Sequence, residues 1–112
     1  MIKETCSVLI TGASSGIGRA ISLRLLSSGF DVIATGRSKE KLMRLSSESR
    51  PIGGRIELFE MDVRSLRSVK NVRTQLKEMN IRVDALINNA GFGLWGPIFH
   101  INDEEIMDQF NT

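Results

Sequence analysis

Thr11-Gly12-Ala13-Ser14-Ser15-Gly16-Ile17-Gly18 lies between an apolar run, Val8-Leu9-Ile10, and a helix-like run from Ala20 to Leu26. Three glycines in seven residues allow a sharp turn and let a ligand come where any Cβ would collide. The hydroxyls of Ser14 and Ser15 add donors. A helix starting near Gly16 would aim its free N–H groups and the positive end of its dipole into that turn. Strand, glycine turn and helix in this order make a phosphate cradle, the arrangement by which a doubly wound α/β domain holds the pyrophosphate of a dinucleotide. The spacing is T-G-x-x-x-G-x-G, neither G-x-G-x-x-G nor the G-K-[ST] of a P-loop. A lone motif of this kind can also be an ordinary loop, so its weight depends on what surrounds it.

Outward from this turn, short apolar runs alternate with amphipathic segments, the arithmetic of βαβ units. Ser7 to Thr11 reads as a first strand; Ile17, Ala20, Ile21 and Leu25 then recur at helical spacing until Ser28-Gly29 closes the helix. Asp31 to Thr35 is a second strand, its Val32-Ile33-Ala34 core fit for burial on both faces. Ser38 caps a helix from Lys39 to about Ser47, and Ser49 to Gly54 is turn chemistry. Arg55 to Met61 is a third strand. From Ser65, a long helix carries Leu66, Val69, Val72, Leu76 and Met79 inward and Arg67, Lys70, Arg73 and Lys77 outward. Asp84 to Asn88 is a fourth strand, Gly91 to Pro97 a loop, and Asp103 opens a last helix whose apolar face holds Ile106 and Phe110.

The 112 residues suit one domain, and 41% hydrophobic with 25% charged residues argues a folded chain. A net charge of +2 from 15 Lys+Arg scattered among 13 Asp+Glu, with no tyrosine, gives no nucleic-acid signature. One cysteine, Cys6, forms no internal disulfide; no apolar run reaches the length of a signal peptide or membrane span, and the expected compartment is the cytoplasm. His100, without ligand-spaced partners, gives no metal site, and Trp95 reads as a packing residue.

In an open α/β sheet, ligands sit beyond the carboxyl ends of the strands, which directs attention to Gly36-Arg37, Asp62-Val63 and Asn88-Asn89-Ala90-Gly91. Together with the opening turn, these residues resemble the short-chain dehydrogenase/reductase family: the T-G-x-x-x-G-x-G turn, an aspartate after the third strand, and N-N-A-G after the fourth. The matches come in order and span essentially the whole chain. The resemblance implies a Rossmann-like doubly wound parallel sheet, here about four strands in the order 3-2-1-4, forming a single domain over 1–112 that is incomplete at its C-terminus. It further implies that Gly12, Ser14, Ser15, Gly16, Ile17 and Gly18 hold the pyrophosphate. Asp62 would accept from the adenine amino group beside the Val63 backbone, while Asn89, Ala90 and Gly91 would line the ribose and nicotinamide side and Asn88 would tie down the strand end.

Charge argues the choice of cofactor. An acid after the second strand binds a ribose 2′-hydroxyl, whereas an arginine there welcomes a 2′-phosphate. The chain places Thr35-Gly36-Arg37 at that point, with Lys39 and Lys41 adding to the field, and NADP is favoured over NAD. In the family, a tyrosine acts as general acid/base with a lysine four residues on. This chain has no tyrosine, and its one catalytic match is Asn111, which resembles the helix asparagine of the proton relay. The expectation is the cofactor-binding part of an oxidoreductase that moves a hydride between NADP(H) and a small carbonyl or secondary alcohol, with a homo-oligomeric parent. A non-catalytic NADP-binding or sensor module, or a structural remnant, stays open.

Overall fold

The computed structural model describes residues 6–89. Four parallel strands, β1 (Ser7–Ile10), β2 (Asp31–Gly36), β3 (Ile56–Glu60) and β4 (Ala85–Ile87), form one sheet in the order β3-β2-β1-β4. Between them run α1 (Gly16–Ser27), α2 (Lys39–Ser49) and α3 (Leu66–Glu78). Register is set along the whole of β1, with Leu9 opposite Ile33 on one side and Leu86 on the other. The Rossmann-like architecture and strand order expected from the sequence are both present.

Alternation along the strands builds two cores. Val8, Ile10, Val32 and Ala34 pack with Leu26 of α1 and with Leu42 and Leu45 of α2. Leu9 and Ile33 point the other way and join Phe59, Met61 and Val69, Val72 and Leu76 of α3. Because β1 and β2 are covered on both faces, their side chains are almost all apolar. Each fully buried Leu or Ile, such as Leu9, Ile10 and Ile33, contributes about 1.5–3 kcal/mol of transfer free energy. This division also fixes where a ligand can sit. The chain builds outward from β1 to β3 on the α1/α2 face, then α3 carries it under the sheet to β4 on the far side of β1. The reversal leaves a crevice at the carboxyl ends of β1 and β4.

The helix ends are chemically marked. Ser38 Oγ accepts from the Lys41 N–H at 3.2 Å, and Ser65 Oγ accepts from the Ser68 N–H at 3.2 Å, so two of the three helices among the described residues begin with a serine cap. The third, α1, begins after Ser15 with no side-chain cap, which leaves its first N–H groups available. Gly29 closes α1 at φ +93°, and just past the Met79 cap of α3 Asn80 takes φ +56°, a left-handed asparagine. An Arg19–Glu48 fork ties the first turns of α1 to the last turn of α2.

Four expectations about the helix faces need correction, one of them Leu66, which is 48% exposed at the start of α3 rather than turned inward. Ile17 is 71% exposed and Ala20 is exposed; the face of α1 turned to the sheet is Gly18, Ser22 and Leu26, with Ile21 and Leu25 half-buried. Ser22 is buried with its hydroxyl satisfied, donating to the Gly18 carbonyl at 2.8 Å, so a polar residue occupies a place that periodicity assigns to an apolar one. Met79 is 51% exposed because α3 stops at Glu78, before the stripe reaches it. Finally, Arg73 is half-buried rather than wholly outside. The strands are shorter than expected at β1, β3 and β4, and β2 and α2 run on to Gly36 and Ser49.

Candidate cofactor site

The turn between β1 and α1 is held from several directions. Gly12 and Gly16 take φ +61° and +57°, the left-handed region in which a side chain is strained. Gly18 needs space instead: a Cβ there would stand 2.0 Å from the Gly12 carbonyl oxygen and 2.6 Å from Asn89 Nδ2. The glycines thus divide the labour, two taking the left-handed conformations of the turn and one letting α1 settle onto it. Around Gly16 there is open space on the side where its Cβ would lie, as a ligand approaching the backbone requires.

Hydrogen bonds weld this turn to the strand ends. Buried Thr11 accepts from the Asn89 N–H at 3.0 Å and donates to Asn88 Oδ1 at 3.3 Å, and its own N–H donates to the Ile87 carbonyl at 3.1 Å. Asn89 Nδ2 donates to the Gly12 carbonyl at 3.1 Å. On the other flank, the Ala13 N–H donates to the Thr35 carbonyl at 3.0 Å, and the Thr35 hydroxyl donates to the Ile10 carbonyl at 2.9 Å. A Cβ on Gly36 would lie 3.0 Å from Ser14 Oγ, so β2 ends close against the turn. Backbone groups that run out of ladder at the strand ends find partners here, and the partners come from the T-G and N-N pairs of the motifs.

A cavity of about 330 Å³ opens at the carboxyl ends of β1, β2 and β3. It brings together Gly12, Ser14, Ser15, Arg37, Asp62 and Val63, six of the residues expected from the sequence to contact the cofactor. Gly16 borders the neighbouring groove between α1 and α2. Ile17 stands exposed in the first turn of α1, and Gly18 is buried beneath that turn. Asn89 lies against Gly12, whereas Ala90, Gly91 and Asn111, with His100, Trp95 and the last helix, fall outside the described residues. Lys41 lines the cavity as expected, but Lys39 does not: it faces a separate groove with Leu58, Phe59 and Glu60 at the β3 edge.

Arg37 is exposed, and its guanidinium makes no hydrogen bond or ion pair among the described residues. Asp62 is differently placed. Its Oδ1 accepts from the Arg64 N–H at 2.9 Å and from Arg64 Nε at 3.2 Å, and its Oδ2 accepts from an Arg64 terminal nitrogen at 3.3 Å. Its own N–H donates to Ser68 Oγ at 2.9 Å and its carbonyl accepts from the Ser65 N–H at 3.0 Å, anchoring the residue on the start of α3. The Arg64 side-chain bonds, then its backbone bond, hold the Asp62 carboxyl below the usual carboxylate range, with a smaller pull from the Arg37 charge. Arg64 lines the cavity and was not foreseen; the Asp-x-Arg spacing across a turn before a capping serine was the available signal.

The residues present fit a dinucleotide phosphate: an uncapped helix start, two serine hydroxyls, a cradle that a Cβ would fill, and three cations around the cavity. Fold and site together define a nucleotide-binding α/β domain of the Rossmann class. A sequence model of the short chain dehydrogenase family matches residues 7–112, and the chain belongs to that family. The NADP-dependent 3-hydroxy acid dehydrogenase of Escherichia coli O157:H7 is 37% identical over 108 residues, which cover 94% of this chain and 42% of that protein. Sulfoacetaldehyde reductase 2 of Chromohalobacter salexigens is 43% identical over 88 residues, 78% of this chain and 34% of the relative. Among solved structures, a variant actinorhodin polyketide ketoreductase with NADPH superposes with a TM-score of 0.71 at 35% identity, over 79% of this chain and 34% of its own. The alcohol dehydrogenase of the archaeon Thermococcus sibiricus, complexed with 5-hydroxy-NADP, gives 0.69 at 30% identity, over 74% and 36%. The chain therefore spans less than half the length of these relatives.

No helix among the described residues is long and apolar enough to cross a membrane, and no group of three or more His, Cys, Asp or Glu there could hold a metal ion.

Proposed function

We propose that this chain is the NADP-binding portion of an oxidoreductase that moves a hydride between the nicotinamide ring and a small carbonyl or secondary alcohol. The observation that carries the reading is the single cavity joining the glycine turn to Arg37 and Asp62. In it, Ser14, Ser15 and the first N–H groups of α1 take the pyrophosphate, with Gly16 and Ile17 contributing backbone and Gly18 the close helix packing. Asp62 and Val63 receive the adenine, and Arg37, with its guanidinium uncommitted, receives the 2′-phosphate. Asn89, Ala90 and Gly91 line the ribose and nicotinamide side. When bound, the cofactor supplies the hydride.

Proton transfer is assigned elsewhere. The family's general acid/base is a tyrosine, and this sequence has none, so Asn111 would serve only as one member of a relay. The same observation favours a second reading for the chain by itself, a module that binds NADP without turnover. Titrating the 112-residue chain with NADP⁺ and NAD⁺, followed by thermal shift and calorimetry, tests the binding claim. Stabilisation by NADP⁺ well above that by NAD⁺, lost in Arg37→Asp, is expected. Equal response to the two nucleotides would refute the assignment of Arg37.

A further inference from the structure

The cavity that is to receive a 2′-phosphate also contains a carboxylate. Asp62 lines the same 330 Å³ space as Arg37 and Lys41, and an uncompensated anion there would repel a phosphomonoester carrying about −1.5 to −2 charges at neutral pH. Arg64 changes that balance. It meets both carboxylate oxygens with a guanidinium fork and also donates its backbone N–H, so one residue holds Asp62 by three hydrogen bonds. A carboxylate has about four acceptor sites, so one is left for an adenine amino group. With Arg64 included, the lining has three cations against one carboxylate.

We propose that Arg64 is a positioning residue for cofactor choice: by pinning and neutralising Asp62, it lets one cavity use a carboxylate for adenine while accepting a 2′-phosphate beside it. The inference rests on the NADP reading above and adds to it a residue that acts through another rather than on the phosphate directly. Its position suits that role. Arg64 lies two residues from Asp62 on the turn before α3, where the Ser65 N–H and Ser68 Oγ fix the Asp62 backbone, so carboxylate and guanidinium are held in register by the chain itself. Arg37 projects from the end of β2, on a different element.

Coulomb terms add, so loss of the Arg64 charge by itself lowers the preference equally with or without the Asp62 carboxylate, whereas release of a pinned carboxylate toward the phosphate adds a loss that exists only where Asp62 is present. The probes are adenosine 2′,5′-bisphosphate and adenosine 5′-monophosphate, which differ only by the 2′-phosphate, with affinities measured by calorimetry on the 112-residue chain. The wild type is expected to prefer the bisphosphate. Removing one unit charge several Å away at solvent-like dielectric is worth about three- to tenfold, so Arg64→Gln should cut the preference by that factor. In the Asp62→Asn background, where there is no carboxylate to release toward the phosphate, the same Arg64→Gln should cut the preference by a factor about twofold or more smaller than in the wild type. Arg64→Lys, which keeps the charge and serves if the glutamine variant does not fold, should stay within about twofold of wild type at low salt. A wild type indifferent to the 2′-phosphate would overturn the NADP reading. A wild type that discriminates, with Arg64→Gln leaving the preference intact or lowering it equally in both backgrounds, would overturn this inference alone.

Discussion

Gly18→Ala is the substitution whose sign separates two accounts of the glycine turn. As an ordinary residue inside α1, Gly18 should be improved by alanine, which is favoured in helices by about 1 kcal/mol. The structure predicts the reverse. The new methyl would lie 2.0 Å from the Gly12 carbonyl oxygen and 2.8 Å from its carbon, where ordinary C···O contacts begin near ~3.3 Å, so helix and turn must part by more than about 1 Å. The carbonyl has little freedom to swing aside, because it accepts from Asn89 Nδ2 at 3.1 Å, itself 2.6 Å from the methyl. Overpacking of this kind costs about 1–3 kcal/mol. The threatened hydrogen bond adds about 1 kcal/mol. Against the helix gain, the net is a loss of about 1–3 kcal/mol, or a fall in Tm of about 4–8 °C for each kcal/mol. Urea denaturation followed by circular dichroism reads it directly. A variant as stable as wild type, or more so, would refute the claim that α1 packs on Gly12 through Gly18. Gly16→Ala supplies the contrast, since its Cβ meets nothing within 4 Å and only the φ of +57° penalises it, by about 1–2 kcal/mol.

Thr11→Val should lose about 1–3 kcal/mol despite its equal volume, because the Asn89 N–H is left without its hydroxyl acceptor; an unchanged urea midpoint would count against the network at the strand ends. Acidification should weaken the fold in a defined window. Asp62 and Glu48 are both held below their ordinary values by their arginine partners, so the stability they supply is present above the unfolded carboxylate range near pH ~4 and is lost as pH falls through their lower folded values. Arg64 and Arg19 shift upward and stay charged throughout. Urea midpoints taken from pH 7 down to 3 should fall, and the fall should flatten in Asp62→Asn with Glu48→Gln; a midpoint that rises with acid would contradict the sign.

What could be read from the sequence was what has a local cause. The Ser38 cap followed from a serine before an amphipathic helix and the cradle from glycine spacing, while the strand order came with the family resemblance those motifs carried. The cavity that unites Ser14, Arg37 and Asp62 was legible because each follows a strand, and strand ends in a parallel sheet share one edge. The failures have tertiary causes. Ser22 occupies an inward place because a hydrogen bond to its own helix satisfies it, and hydropathy cannot register that. Lys39 and Lys41 look equivalent in sequence, yet two residues along a helix turn a side chain by roughly 200°, and only Lys41 reaches the cavity. Arg64 escaped notice because its role lies in a pairing rather than in a motif.

The Thr11 network ties the site to β4, the shortest of the described strands. Strand β4 has three residues, with Ala85 exposed and Leu86 and Ile87 half-buried, and among the described residues it pairs only with β1. Its carboxyl end is fastened by Asn88 and Asn89 to Thr11 and Gly12, the residues that also shape the cradle. Among the described residues β4 has few ladder bonds, so its hold on the sheet depends on this fastening. A ligand that orders the glycine turn therefore orders the fastening of β4 as well. At a concentration one hundred times its Kd, such a ligand stabilises the native state by about 2.7 kcal/mol, comparable to the whole cost of Gly18→Ala. Hydrogen exchange at the β4 amides should then slow on cofactor binding more than at β3, which shares the sheet but not the network.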